Sequence, residues 1–446
     1  MDWKEKKVAV LGLGKSGIAA AKVLAGLGGQ VSASDLRSRE ELEEAVSQLP
    51  PEVEIEAGGH AQSCLEAELL VVSPGVPCDL PILVAAEADG VPVMGEVELA
   101  YELTHSPIVA ITGTNGKTTT TTLVGELLKA AGFNAPVGGN IGVPLVSLAQ
   151  TEADYLVAEV SSFQLETVSR FRPHVGLFLN FTDDHLNRHG TMERYFSLKR
   201  RLFEKQEPSD WAILNADDPR VAGLAGELPS QVMLFSRTRP VADGAFVQDG
   251  FIMLGAEILM PVSEIRLRGG HNLENCLAAA CVGKALAIPL PVIRKVLSSF
   301  EGVEHRCEPV ETIGGVLYIN DSKGTNYDST IKAIESYEEP LVLILGGRDK
   351  GGAITPLVEA VSSRAKYTVL LGEAAPYFER VLQASHYERI IRADNLKEAV
   401  EKARERTLPG DVVLFSPACT SYDMFKNYEE RGRAFKAIVR DLQNEA

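Results

Sequence analysis

Apolar residues come along this chain in short unbroken runs, separated by polar or glycine-containing stretches of helical spacing. Residues 7–13 (KVAVLGL) predict a buried strand, 16–28 (SGIAAAKVLAGLG) the following helix, and 30–35 (QVSASD) a second strand. LLVVSPG at 69–75 and VPVMG at 91–95 continue the alternation expected of a parallel sheet covered by helices. A second region opens at 107–132 with a strand, a glycine-containing loop and a helix; 155–162, 175–182 and 211–218 read as further buried strands. From 231 to 268 the pattern shifts to short alternating runs such as GAFVQDGFIMLG, an antiparallel patch, before HNLENCLAAACVGKAL (271–286) returns to helix. A third unit begins near His305, with strands at 315–320, 341–346, 367–371 and 411–416 alternating with helices. The expectation is an α/β protein of three domains, 1–95, 96–302 and 303–446. The central sheet is mostly parallel with a small antiparallel sheet beside it.

Composition narrows the function. At 446 residues, 45% hydrophobic and 24% charged, each domain can bury its own core. Lys and Arg number 44 against 61 Asp and Glu, a net charge of −17. Such a surface repels nucleic acid and acidic lipid, so neither is expected as a partner. An anionic substrate would need a local cluster of cations. Six scattered cysteines (Cys64, Cys78, Cys276, Cys281, Cys307, Cys419) show no C-x-x-C or zinc spacing, which suits a reducing cytoplasm. No run approaches about 18 apolar residues, so no membrane span is expected. The apolar run after the charged start is broken at Gly12, Gly14 and Lys15, too early for a signal peptide. A cytoplasmic monomer meets all of these constraints.

Gly12-x-Gly14-x-x-Gly17 follows a strand and opens a helix, with Asp35 ending the next strand. This is the dinucleotide fingerprint, and an NAD-dependent oxidoreductase is one reading of it. The physics is broader: glycines let backbone amides approach any nucleotide diphosphate at a helix N-terminus. Thr112-Gly113-Thr114-Asn115-Gly116-Lys117-Thr118-Thr119 resembles a P-loop, with Ile111 where the strict pattern has glycine. It keeps small residues that free the amides, a lysine for β and γ phosphates and a hydroxyl for magnesium. Two phosphate loops in separate domains favour phosphoryl transfer over redox chemistry. A nucleotide sensor without catalysis keeps both loops but has no use for the polar residues that close the next strands. Those are Glu159, Asn180 and His185, with Asp183, Asp184 and His189 behind them; magnesium or catalytic roles are expected for Glu159 and His185. Asp321-Ser322-Lys323-Gly324-Thr325-Asn326, Gly346-Gly347-Arg348-Asp349-Lys350-Gly351 and Ser416–Ser421 follow three strands of the last domain. Together they predict an anion-binding rim on a mobile module that brings a small anionic substrate.

Taken in order, GLGKSG, SPG, TGTNGKTT, GGNIG, EVSSFQLE, HNLEN, HR, NDSKGTN and SPACTSYDMFKNYEERG resemble the Mur ligases of peptidoglycan precursor synthesis, over essentially the whole chain. Within that family the likeness is to the branch that adds D-glutamate to UDP-N-acetylmuramoyl-L-alanine. The D-N-P-R signature of the diaminopimelate and lysine adders is absent. Folylpolyglutamate synthases share the P-loop but not the first domain with Asp35 and Arg37. The resemblance implies a Rossmann-like N-terminal domain, a central P-loop-type ATP-binding domain and a Rossmann-like C-terminal domain. The implied reaction is ATP-dependent amide formation through an acyl phosphate.

The resemblance also implies site residues. The UDP substrate would meet Gly14, Lys15, Ser16, Gly17, Asp35, Arg37, Ser73, Gly75 and Asn140. ATP would meet Gly113, Thr114, Asn115, Gly116, Lys117, Thr118, Thr119, Asn275, Arg306 and Asp321. D-glutamate would meet Lys323, Thr325, Lys350, Ser421 and Tyr428. Two magnesium ions would be held by Thr118, Glu159, His185 and Lys199, the last carbamylated, with Lys117, Glu159, His185 and Lys199 as the catalytic set. Only the resemblance singles out Lys199 of Tyr195-x-x-x-Lys199, since FSLKRRLFEK by itself reads as a solvated charged helix face. Arg348 stands where some relatives have an acidic residue and Tyr428 where some have Phe, which bears on substrate contacts and not on the reaction class.

Overall fold

Runs of Val, Ile, Leu and Ala four to six residues long become strands covered on both faces, and they sort into three sheets. The structure, a computed structural model, describes residues 2–60 and 63–444. The first sheet contains β1 (Lys7–Leu11), β2 (Gln30–Asp35), β3 (Glu54–Ala57), β4 (Leu69–Val72) and β5 (Val93–Gly95), in the order β3-β2-β1-β4-β5, all parallel. The second contains β6 (Ile108–Thr112), β7 (Val137–Gly139), β8 (Leu156–Glu159), β9 (Val175–Phe178), β10 (Trp211–Asn215), β11 (Gln231–Ser236), β12 (Gly244–Gln248), β13 (Phe251–Leu254) and β14 (Glu257–Pro261). Its order is β14-β13-β12-β11-β10-β9-β6-β8-β7. The antiparallel pairing of β12 with β13 extends this one sheet of nine instead of forming a sheet of its own.

The third sheet contains β15 (Glu308–Ile313), β16 (Val316–Asn320), β17 (Leu341–Gly346), β18 (Ala365–Leu371), β19 (Ile390–Arg392) and β20 (Val412–Phe415), ordered β15-β16-β20-β17-β18-β19. β15 and β16 form an antiparallel hairpin; the remaining pairs are parallel. β4, β6, β8, β9, β17 and β20 are buried at every position, as parallel strands sandwiched between helices must be. The expected strands therefore appear with ends shifted by a few residues, β17 as expected and β18 beginning two residues earlier, at Ala365. β3, β7, β15 and β19 were not foreseen.

Internal contacts divide the chain into two bodies. One holds the chain up to Phe181, His189–Met260 and Leu277–Val296; the other holds Thr182–Arg188, Pro261–Cys276 and the chain from Leu297. In the first body one apolar core crosses from the first sheet to the second. Trp3 and Leu24 belong to it, with Val97 and Leu99 on the helix Glu96–Leu103, and so do Ile108, Leu145 and Phe171. The second body has a core on each face of its sheet.

Candidate active site

The phosphate loop joins β6 to the helix Lys117–Ala130, and its shape follows from the residue that caps the helix. Gly116 sits at φ 84°, a left-handed conformation that a side chain would strain, so the first helical amides face the loop with no side-chain cap. Asn180, at the end of the β9 segment, clamps the loop: its Oδ1 accepts from Asn115 N at 2.8 Å and its Nδ2 donates to Asn115 O at 3.0 Å. Lys117 Nζ donates back to Gly113 O (2.9 Å) and Thr114 O (2.8 Å). Lys199, buried on the helix Met192–Arg200, donates to the same Gly113 O at 2.7 Å and lies 4.8 Å over the Tyr195 ring. Two ammonium groups turned onto one carbonyl oxygen make a strongly positive spot beside the loop, the electrostatic condition for holding a polyphosphate.

Behind the loop, Thr118 Oγ1 donates to Glu159 Oε2 at 2.8 Å, and Asn140 Nδ2 donates to Glu159 Oε1 at 2.7 Å. Glu159 is 2% exposed, held at the carboxyl end of β8. A hydroxyl and a carboxylate oxygen side by side next to a phosphate cradle are the donors magnesium prefers, so these residues fit the ion. Thr119 is buried in the first turn of the helix. His189 is buried too, but it is a support: its Nε2 lies 2.9 Å from Ser162 Oγ, its Nδ1 3.3 Å from Glu166 Oε1, and its ring stacks on Tyr195.

In the first sheet, Gly17 must be glycine, since a Cβ there would lie 1.8 Å from Gly12 O. Ser73 Oγ donates to that same carbonyl at 2.6 Å. Gly14 caps the helix Lys15–Gly26 with nothing within 4 Å of where its Cβ would be, which leaves the helix N-terminus approachable beside Lys15 and Ser16. Gly75 likewise borders open space. Asp35 accepts from Leu13 N (2.7 Å) and is chelated by Arg37 through Nε (3.0 Å) and Nη2 (2.9 Å). The guanidinium bonds hold the Asp35 carboxyl well below the usual range against the opposing effect of burial. An ion pair made rigid in this way presents its remaining donors and acceptors in a fixed geometry.

The second body carries the other expected residues. His185, at φ 57°, has Nε2 3.5 Å from Asp184 Oδ2. Asp184 also accepts from Asn326 Nδ2 (3.0 Å) and lies 3.8 Å from Lys350 Nζ. These residues, with Asp183, Tyr327 and Asp349, border a cavity of about 250 Å³. Lys323 lies 5.1 Å over the Tyr428 ring; Thr325 is half-buried and Ser421 buried in neighbouring loops, outside that cavity's lining. Arg348 forms a bidentate pair with Glu373 (2.8 and 2.9 Å). Asp321, wholly buried, accepts from Ser416 Oγ (2.7 Å) and Cys307 N (3.1 Å) and stands 3.8 Å from Arg306; burial raises its carboxyl. Asn275 is buried 3.3 Å from Asn272 Oδ1.

Sequence reasoning missed Arg431. Its buried guanidinium donates to Ser322 O (2.8 Å), Cys419 O (3.0 Å) and Thr420 O (3.1 Å), tying two of the three rim loops together. Its signal was its place in the SPACTSYDMFKNYEERG stretch, where, beside Arg433, it reads as one more exposed charge. Among the described residues, Glu304, His305 and Glu308 cluster at metal-ligand spacing, but Lys436 bonds both carboxylates and makes it an ion-pair network.

Three family models match in succession: the Mur ligase MurD-like N-terminal domain over residues 6–95, the Mur ligase middle domain over 111–283, and the Mur ligase glutamate ligase domain over 305–419. The chain belongs to the Mur ligase family. Among its relatives, the UDP-N-acetylmuramoylalanine–D-glutamate ligase of Pelotomaculum thermopropionicum is 48% identical over 99% of both chains, and that of Koribacter versatilis 46% over 99% of both. The crystal structure of MurF ligase from Thermotoga maritima in complex with ADP superposes with a TM-score of 0.63 at 16% identity, over 99% of this chain and 100% of that one, a likeness of fold.

Proposed function

We propose that this protein joins D-glutamate to UDP-N-acetylmuramoyl-L-alanine at the expense of ATP, in peptidoglycan precursor synthesis. Full-length identity to ligases of that name supports the reading, and the convergence of Lys117 and Lys199 on Gly113 O beside the Thr118–Glu159 pair carries it. The γ-phosphoryl group passes from ATP to an oxygen of the alanyl carboxylate, and ADP departs. The D-glutamate amine attacks the acyl carbon, gives up a proton, and inorganic phosphate leaves as the amide forms.

The chain's own work is to hold anions together. Loop amides from Gly113 to Thr119, with Lys117, grip the phosphates. Thr118 and Glu159 would hold one magnesium and His185 would help hold a second; Lys199, an ammonium group while unmodified, would become a further magnesium ligand only once carbamylated. Bound there, the ions neutralise charge building on the transferring phosphoryl oxygens. Gly14–Gly17, Asp35, Arg37, Ser73 and Gly75 bind the UDP part, and Asn140 orients the sugar-peptide. Asn275, Arg306 and Asp321 serve the adenosine and phosphates, while Lys323, Thr325, Lys350, Ser421 and Tyr428 receive D-glutamate. The domains divide near residues 95 and 302, and the enzyme works as a cytoplasmic monomer. The test is ADP formation: it is expected only with ATP, the UDP-sugar-alanine and D-glutamate all present. No stimulation by D-glutamate would overturn the amino-acid assignment.

A further inference from the structure

Glu96 opens the helix that follows β5 and is 1% exposed, yet among the described residues its carboxylate meets no cation. Its Oε1 accepts from Val146 N at 2.7 Å, with Leu145 N also bonded, and its Oε2 accepts from Gln164 Nε2 at 3.4 Å. A buried carboxylate solvated only by amides is costly to keep unless those amides must be held in place. Both partners lead to the site. Val146 lies in the short helix Leu145–Leu148 that closes the loop starting at Gly139 and Asn140, where Gly139 N bonds Val143 O and Asn140 N bonds Glu159 O, each at 2.8 Å. Gln164 Oε1 accepts from Ser161 N (2.9 Å) and Ser161 Oγ (3.0 Å), the capping box two residues beyond Glu159. The helix Lys15–Gly26, which begins at the glycine loop, packs on the same helices, Glu96–Leu103 and Leu145–Leu148.

We infer that Glu96 is a positioning residue: it ties the loop bearing Asn140 to the turn following Glu159, and so fixes the Asn140–Glu159 contact to which the UDP-linked substrate is presented. The inference rests on the reading given under Proposed function. Burial pushes the Glu96 carboxyl up to about 6, consistent with a group held in place by its neighbours' geometry and not by an ion pair.

The test is a donor–acceptor exchange. In Glu96→Gln the side-chain amide faces the amide of Gln164, and one bond is lost. Combining it with Gln164→Glu restores that bond with the same total charge and leaves an oxygen for Ser161. Glu96→Gln is expected to raise KM for the UDP-linked substrate about fivefold, leave KM for D-glutamate unchanged, and return to the wild-type value in the double variant. Hydrogen exchange of the 139–146 amides, which needs no turnover, should quicken in the single variant and recover in the double. Unaltered exchange and KM in Glu96→Gln, equal increases for all substrates, or no recovery in the exchange pair would each overturn the inference. Absence of D-glutamate-dependent turnover in the wild-type protein, with the exchange pattern as expected, would overturn the reaction assignment alone.

Discussion

Lys117 and Lys199 donate to a single oxygen, the carbonyl of Gly113, one from 4 residues and the other from 86 residues further along the chain. While Lys199 is an unmodified ammonium, the two like charges drawn to one acceptor repel each other until an anion arrives, so ligand binding to that form should relieve the site as well as fill it. Wild-type protein is expected to melt higher with a nucleoside triphosphate present, and Lys117→Ala to lose most of that increment, as thermal scans with and without the ligand will read.

Glu159 is the carboxylate on which Thr118 and Asn140 converge. Glu159→Gln keeps the side-chain volume and one acceptor but removes the charge. Phosphate release is expected to fall by about a hundredfold or more, while far-ultraviolet circular dichroism is unchanged. Full turnover in this variant would place the metal elsewhere.

Carbamylation of Lys199 converts a cation at Gly113 O into an anion. Protein equilibrated with 13C-labelled bicarbonate is expected to show one carbamate carbon resonance that Lys199→Ala lacks. Lys199→Ala is also expected to lose about a hundredfold or more in turnover. An unlabelled but fully active wild-type enzyme would refute the modification.

Arg37 is half exposed, and its pairing with Asp35 adds little to folding, under about 1 kcal/mol after solvent screening. Its role should therefore be visible in binding. Arg37→Ala is expected to raise KM for the UDP-linked substrate about tenfold with KM for ATP unchanged, in steady-state assays varying each substrate in turn.

Glu96 gives stability an unusual pH dependence. Its carboxyl moves from an ordinary 4.5 to about 6 on folding, because burial opposes its charge. The folded state then holds the proton more tightly than the unfolded one. The favourable contribution is complete below pH 4.5 and lost as pH rises through 6, about 2 kcal/mol in all. Urea titrations of wild type and Glu96→Gln should show the wild type losing ground to the variant by about that amount across this window.

How much of this was legible in the sequence depended on where each element sits. Interior strands such as β6, β8 and β17 stood out because both faces are buried and the residues are apolar throughout. The four strands not foreseen all lie at sheet edges: β3 reads EIEA, β7 VGG, β15 EPVETI and β19 IIR. Edge strands need no continuous apolar run, and charges there discourage pairing with other chains. The phosphate loops were readable because their chemistry is local. Arg431 and Glu96 were not, since each acts on backbone groups distant in sequence; Arg431 lies within the SPACTSYDMFKNYEERG stretch, but nothing in that stretch marks its guanidinium as buried.

The apolar core that runs unbroken from Trp3 through Val97 to Phe171 means the module built on the first sheet is no portable cassette. A gene fragment ending at residue 95 would carry half of a hydrophobic seam into water and invite aggregation. Transplanting that module between ligases will succeed only when the facing surface, including the helix Glu96–Leu103, travels with it.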